Sequence, residues 1–240
     1  MKVLKFLFIV SMFIIASCSS DDDNDITEQQ QIGDTNGYQY VDLGLSVKWA
    51  TCNVGATSPY DTGNLYAWGE VSPKEEYLLT NYKHWTDVKN ITKYCTDSNF
   101  GTVDGLTMLA TEDDVVRIEM GGDWRMPTIK EINELCSLCT IKRDTLNSVP
   151  GISVTGPNGG SMFVPGRTYW QKSGYSNPIY NTSDDSGGFW SVDLCTRYEQ
   201  KLLCAYAFHF STNIKGGGVA YENGSTSMRY LGLACRGVIE

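Results

Sequence analysis

The sequence predicts an α+β fold, with mostly antiparallel strands, two helices and long loops. Three observations carry this. Short runs of alternating apolar residues recur from Tyr38 to Ile239. One amphipathic stretch after Thr128 carries helix-start chemistry. Glycine, asparagine and proline punctuate the intervals, and no internal repeat is visible.

The first strand is Tyr38-Gln39-Tyr40-Val41-Asp42-Leu43, the second centres on Val47-Lys48-Trp49-Ala50, and the third is Leu65-Tyr66-Ala67-Trp68-Gly69. Residues 71–107 are polar and irregular but hold Tyr77, Tyr82, Trp85 and Tyr94, which marks a packed loop excursion. Thr111 is placed to cap a short helix ending at Met120, before Gly121-Gly122. Thr128 opens the clearest helix, with Pro127 before it and Glu131 three residues on, a capping box. Ile129, Ile132, Leu135, Cys136 and Cys139 share one face of it, which should pack on a sheet. Strands at 152–155 and 162–164 flank the turn Gly156-Pro157-Asn158-Gly159-Gly160, and further strands follow at 189–194, 205–210 and 230–239.

The N-terminus has a different character. Lys2 and Lys5 precede an apolar run from Phe6 to Ala16, and Ile15-Ala16-Ser17-Cys18 closes it. The run is shorter than the roughly 20 residues a membrane span needs. A charged start and a small-residue exit mark a cleaved export signal. This is the pattern of a bacterial lipoprotein signal: residues 1–17 removed, Cys18 the lipidation site, and the membrane a partner through the lipid anchor. Residues 18–36 read as a tether, acidic at Asp21, Asp22, Asp23, Asp25 and Glu28, with loop character continuing from Gly33 to Gly37. One domain is expected over 37–240.

The chain carries a net charge of −9. With Lys2 and Lys5 cleaved away and the five acids up to Glu28 set aside, the rest of the chain is near −6. That excludes nonspecific nucleic-acid binding, which needs a basic footprint. Seven cysteines remain after Cys18, an odd number that cannot all pair internally. Cys195 and Cys204 flank a strand connection and are the best disulfide candidates. Cys136 and Cys139 form a lone Cys-x-x-Cys; with two histidines in the chain, a four-ligand zinc site lacks partners. No metal and no cofactor is expected.

Two segments carry a family resemblance. One is Asp42-Leu43-Gly44-Leu45-Ser46-Val47-Lys48-Trp49-Ala50-Thr51-Cys52-Asn53-Val54-Gly55-Ala56, followed by Tyr66-Ala67-Trp68-Gly69-Glu70. The other is Gly122-Asp123-Trp124-Arg125-Met126-Pro127-Thr128, followed by the helix and by Val154-Thr155-Gly156-Pro157-Asn158-Gly159. Together they resemble the Fibrobacter succinogenes major paralogous domain family of exported Bacteroidetes proteins. That family is similar to the C-terminal domain of the Legionella collagen-like adhesin and to C-type-lectin-like folds. The resemblance implies a lectin-like scaffold used in adhesion or glycan binding, and by itself no activity. Cys18-Ser19-Ser20-Asp21-Asp22-Asp23 looks like the signal that sends such lipoproteins to the outer face of the outer membrane, so the expected location is the cell exterior.

Asp123, Trp124, Arg125, Pro127 and Thr128 read as a structural motif: Arg125 pairing with Asp123 or a carbonyl, Trp124 in the core, Thr128 capping. The candidate binding residues are Arg167, Tyr169, Trp170, Lys172, Tyr175 and Tyr180, aromatics and cations in a Gly/Ser-rich loop with Gln171 and Asn177. Asp184-Asp185-Ser186 and Asp193 offer oxygens but no lectin-type calcium signature. Asp144-Thr145-Leu146 resembles a Bacteroidetes O-glycosylation acceptor, with Thr145 as the modified residue. His84 and His209 lack a nucleophile's setting, and carboxylate-pair glycosidase chemistry stays open because such pairs meet only in space. The expected function is non-enzymatic binding of glycans or a surface protein. A structural accessory subunit of a surface assembly is the alternative, and an enzyme acting on glycans is the third reading.

Overall fold

The computed structural model describes residues 31–87, 90–170, 184–196, 203–213 and 219–240. Cys18 and most of the tether lie outside them. In chain order the strands begin with β1 (Ile32–Thr35), β2 (Tyr38–Val41), β3 (Lys48–Asn53), β4 (Leu65–Tyr66), β5 (Trp85–Asp87) and β6 (Asn90–Ile91). The helices α1 (Val115–Met120) and α2 (Ile129–Leu138) follow. The remainder is β7 (Thr140–Leu146), β8 (Val149–Thr155), β9 (Ser161–Pro165), β10 (Tyr169–Trp170), β11 (Ser186–Leu194), β12 (Cys204–Ser211), β13 (Ala220–Met228), β14 (Gly232–Ala234) and β15 (Arg236–Ile239).

The architecture is α+β, and nearly all strand pairings are antiparallel. One sheet runs β1-β2-β3-β15, a second runs β10-β14-β11-β12-β13 with β4 on β14, and a third is β7-β8-β9. The pairing of Phe189 in β11 with Ala234 in β14 is parallel. The chain end joins two of these sheets: β14 lies in the second, and β15 closes onto β3 in the first.

The β11–β12 region has a hydrophobic cluster on each face. Trp190, Val192 and Leu194 of β11 and Ala205 and Ala207 of β12 pack with Trp68, Tyr94, Trp124 and Leu233. Phe189, Phe208 and Phe210 face Trp49, Val154 and the α2 residues Ile132 and Leu135. Period-two alternation therefore sends small residues to one side of β12 and phenylalanines to the other. Two of the buried indoles find acceptors: Trp68 Nε1 donates to the Ser191 carbonyl at 2.8 Å and Trp190 Nε1 to the Tyr66 carbonyl at 2.8 Å, whereas the buried Trp49 Nε1 has no acceptor among the described residues.

The capped helix forms as expected. Thr128 Oγ1 accepts from the Glu131 amide at 3.2 Å, and the Glu131 carboxylate accepts from the Thr128 amide at 2.7 Å. Asp193 Oδ2 accepts from the Ile129 amide at 2.7 Å, so this carboxylate satisfies a helix start rather than a cation.

Several expectations change. The folded part begins at Ile32, because Gly33 to Thr35 lie in β1 and not in a tether loop. Asn36 and Gly37, both at positive φ, make the two-residue turn that pairs β1 with β2. Thr111 starts a 3-10 turn, and the cap of α1 is Asp114, whose carboxylate accepts from the Val116 and Arg117 amides. Arg125 donates to the Met126 carbonyl at 3.3 Å, the carbonyl alternative, and its ion-pair partner is Glu131 at 2.6 and 2.9 Å rather than Asp123, because the capping glutamate lies within reach and is itself largely buried. Strands β7, β10 and β13, and the hairpin β5–β6, are additions to the expected set.

The cysteine expectation changes too. Cys195 and Cys204 are not joined in a disulfide, and neither are the other five described cysteines. Cys195 directly follows β11 and lies beside Cys204 at the start of β12, its amide donating to the Cys204 carbonyl at 3.2 Å. The Cys204 thiol, however, is directed at Met228 Sδ, 3.7 Å away on β13. Burial pushes the Cys136 thiol up to about 12, Cys139 to about 11, and Cys235 well above its ordinary value. Thiolates being the reactive form, a thiol reagent applied to the native protein should label half-buried Cys52 first, at least about tenfold faster than Cys136, Cys139 or Cys235. Peptide mass mapping of the labelled chain checks this; equal labelling of Cys235 would contradict it.

Candidate functional site

Of the expected binding residues, Arg167 is the one whose side chain the structure describes. Tyr169 and Trp170 sit on β10, opposite Leu233 and Gly232 of β14. Lys172, Tyr175 and Tyr180 lie outside the described residues.

Arg167 ends the turn between β9 and β10, with φ of 60°, in the left-handed region that a branched or bulky L-residue rarely enters. Its amide donates to the Ser186 carbonyl at 2.8 Å, and the preceding Gly166 amide donates to the Pro150 carbonyl at 2.8 Å. Glycine is required at 166, because a Cβ there would run into the Asp184 carbonyl. The Arg167 guanidinium forms a two-pronged pair with Asp184, through Nε and Nη2. Both side chains remain open to solvent, 56% and 46% exposed. The pairing raises the guanidinium and lowers the Asp184 carboxyl relative to their ordinary values.

This pair forms one wall of a groove of about 320 Å³. Tyr60, Asp61 and Thr62 supply a second wall from the loop between β3 and β4, and Ser148, Val149 and Pro150 supply the third. Two pieces of local chemistry hold these loops. Asn147 and Ser148, at φ of 49° and 66°, make the two-residue turn between β7 and β8. Asp61 accepts from the Thr57 and Gly63 amides at 3.2 Å each, closing its own loop. Tyr60 is 37% exposed. Next to the groove, Arg143 on β7 lies 3.8 Å from Asp185. The adjacent aspartates 184 and 185 therefore each face an arginine, which is not a calcium ligand arrangement, and no cluster of metal-ligating side chains occurs among the described residues. Tyr60, Asp61 and Pro150 were not legible as site residues: Arg167 carried a binding signal and Asp184 only one as an oxygen donor, and the partners of Arg167 come from segments about 100, 20 and 17 residues away in sequence.

A second titratable cluster lies inside the fold. Asp113, 1% exposed at its side chain, accepts from Lys83 Nζ, Lys93 Nζ and Tyr94 Oη, each at 2.7 Å. His84 Nε2 is 3.9 Å away and 3.1 Å from the Gly69 carbonyl oxygen. Burial alone would raise the Asp113 carboxyl, but the three hydrogen bonds outweigh it and bring it to about 2. A carboxylate so firmly ionised is a poor proton carrier at neutral pH; it acts here as an anchor for the 71–107 excursion.

Thr145 is exposed near the end of β7, open to modification. Trp124 is fully buried, with Nε1 donating to the Thr35 carbonyl at 3.2 Å, and Pro127 is buried. No family model matches the chain, and no curated protein or solved structure matches it either.

Proposed function

We propose that this chain is a lipoprotein held through Cys18 at the outer face of the outer membrane, and that its domain, a C-type-lectin-like member of the Fibrobacter succinogenes paralogous domain family, binds glycans without turning them over. The observation that carries the binding reading is Arg167. An exposed arginine fixed in left-handed backbone geometry is strain of about 1–3 kcal/mol, and such strain concentrates at ligand sites. Its side chain is held in one orientation by Asp184, beside an exposed tyrosine and the apolar surface of Val149 and Pro150. An aromatic or apolar floor with a few oriented polar groups is the general composition of a small-ligand site. Sugar rings, with one face of C–H groups and an edge of hydroxyls, suit that combination.

The test is a glycan array probed with the full chain and with Tyr60→Ala and Arg167→Ala variants. Binding to a defined subset of glycans, lost by about tenfold or more in both variants at unchanged thermal midpoint, is the expected result. An array with no signal removes the glycan reading. Metabolic labelling with a clickable fatty acid tests the anchor: the native chain should be marked and a Cys18→Ser chain should not.

A further inference from the structure

Resting on the glycan-binding reading, we infer that the groove at Arg167 selects a neutral sugar and holds it by two adjacent hydroxyls. The charge balance comes first. Among the described residues the lining carries two carboxylates, Asp61 and Asp184, against the single cation Arg167, and the neighbouring Arg143 and Asp185 offset each other. The surrounding protein is acidic, at −9 overall. A uronate, sulfate or sialate entering this groove meets net negative charge from the described lining, whose one cation is already committed to Asp184.

The hydrogen-bond inventory comes second. A guanidinium has five N–H donors, and pairing through Nε and Nη2 uses two of them. Three donors remain. A carboxylate has about four lone-pair sites, of which this pair uses two. The outer rim of the Arg167–Asp184 pair thus presents donors beside acceptors in one plane, already oriented. A single hydroxyl can use one side of that rim. Two neighbouring hydroxyls use both, one accepting from the guanidinium and the other donating to the carboxylate, and neither protein group has to give up its partner. Tyr60, Val149 and Pro150 then meet the C–H face of the ring. A groove of about 320 Å³ is at the small end of the roughly 300–1,000 Å³ usual for ligand sites, which suits a terminal sugar rather than a long chain segment.

The experiment is saturation-transfer NMR and titration calorimetry on the detergent-solubilised full chain. The neutral probes are methyl α-mannopyranoside, methyl β-galactopyranoside and methyl β-glucopyranoside. The charged probes are glucuronic acid and N-acetylneuraminic acid. At least one neutral probe should bind about tenfold or more tightly than either acid. Removing one of the paired hydroxyls, with a deoxy analogue of the best probe, should weaken it by a similar factor. Arg167→Lys keeps the positive charge but loses the planar fork, and should lose at least about tenfold while the thermal midpoint stays unchanged. Asp184→Asn keeps the shape and should lose affinity for the neutral probe while gaining it for the acids. Tighter binding of an acid by the native chain, or indifference to Arg167→Lys, overturns this inference and leaves glycan binding standing. Silence toward every probe, together with an empty glycan array, overturns both.

Discussion

Replacing Asp113 by alanine is expected to destabilise the protein by about 3 kcal/mol, from the cost of breaking a buried ion pair by removing one partner. The carboxylate is fully enclosed and takes a hydrogen bond on one oxygen from Lys83 and on the other from Lys93 and Tyr94. The full range for such losses is about 3–5 kcal/mol. The low end applies because Lys83 and Lys93 are 52% and 27% exposed and can recover water once the partner is gone. Tyr94 cannot: its ring is buried, edge-on to Trp68 at 5.0 Å and to His84 at 5.4 Å. Asp113→Asn keeps the shape and an acceptor for Tyr94 and should cost less, about 1–2 kcal/mol. Urea denaturation measures both. Limited proteolysis should also find new cleavage within residues 71–107 in the alanine variant, since Asp113 ties Lys83, His84 and Lys93 of that excursion to the turn before α1. A loss under about 1 kcal/mol would show that the anchor is dispensable.

The second large effect is a loss of stability between pH 6.5 and 4, centred on His209. This imidazole sits on β12 between Phe208 and Phe210, with Nε2 2.8 Å from Ser227 Oγ of β13. Burial lowers it from 6.5 to about 4. The unfolded chain takes up the proton near 6.5 while the folded chain stays neutral, so stability is complete above 6.5. It declines as the pH falls toward 4 and stops changing, as far as this group is concerned, once both states are protonated. His209 as a residue is partly exposed, so the contribution is about 2 kcal/mol rather than the full linkage value. Burial lowers His84 as well, which adds in the same sense. Asp113 acts at lower pH. Its depressed carboxyl contributes stability that is present above the ordinary carboxylate range and is lost as the pH falls through about 2. Denaturation midpoints for the native chain and for His209→Gln, which cannot titrate, should diverge at pH 7 to 4 with the variant showing the flatter profile. Parallel profiles would remove His209 as the cause.

Local signals were legible wherever the physics is local. The α2 cap needed only Thr128, Glu131 and the apolar spacing after them, and those residues make the reciprocal bonds expected of them. The alternation of Tyr206, Phe208 and Phe210 was readable, and their burial follows from it. Asn36-Gly37 was an equally strong turn signal. It was obscured because the polar run before it resembled a continuation of the tether. Strand β13, Ala220–Met228, carries Glu222, Asn223, Gly224 and three hydroxyl residues; its place in the sheet comes from pairing with β12, not from its own propensity.

The amino-acid sequence by itself determined the start of α2 at Thr128, the apolar faces of the central strands and the acidic character. Each depends on residues within a few positions of one another, where spacing and side-chain chemistry act directly. Only the tertiary structure decided which partners the charged groups took: Arg125 with Glu131, Arg167 with Asp184, Asp113 with two lysines and a tyrosine. It also decided that Cys204 turns toward Met228, and that Tyr60 and Pro150 share a groove with Arg167. Except for Arg125 with the capping glutamate, these are meetings between distant segments. Sequence spacing does not encode them, because they exist only once the sheets have brought the loops together.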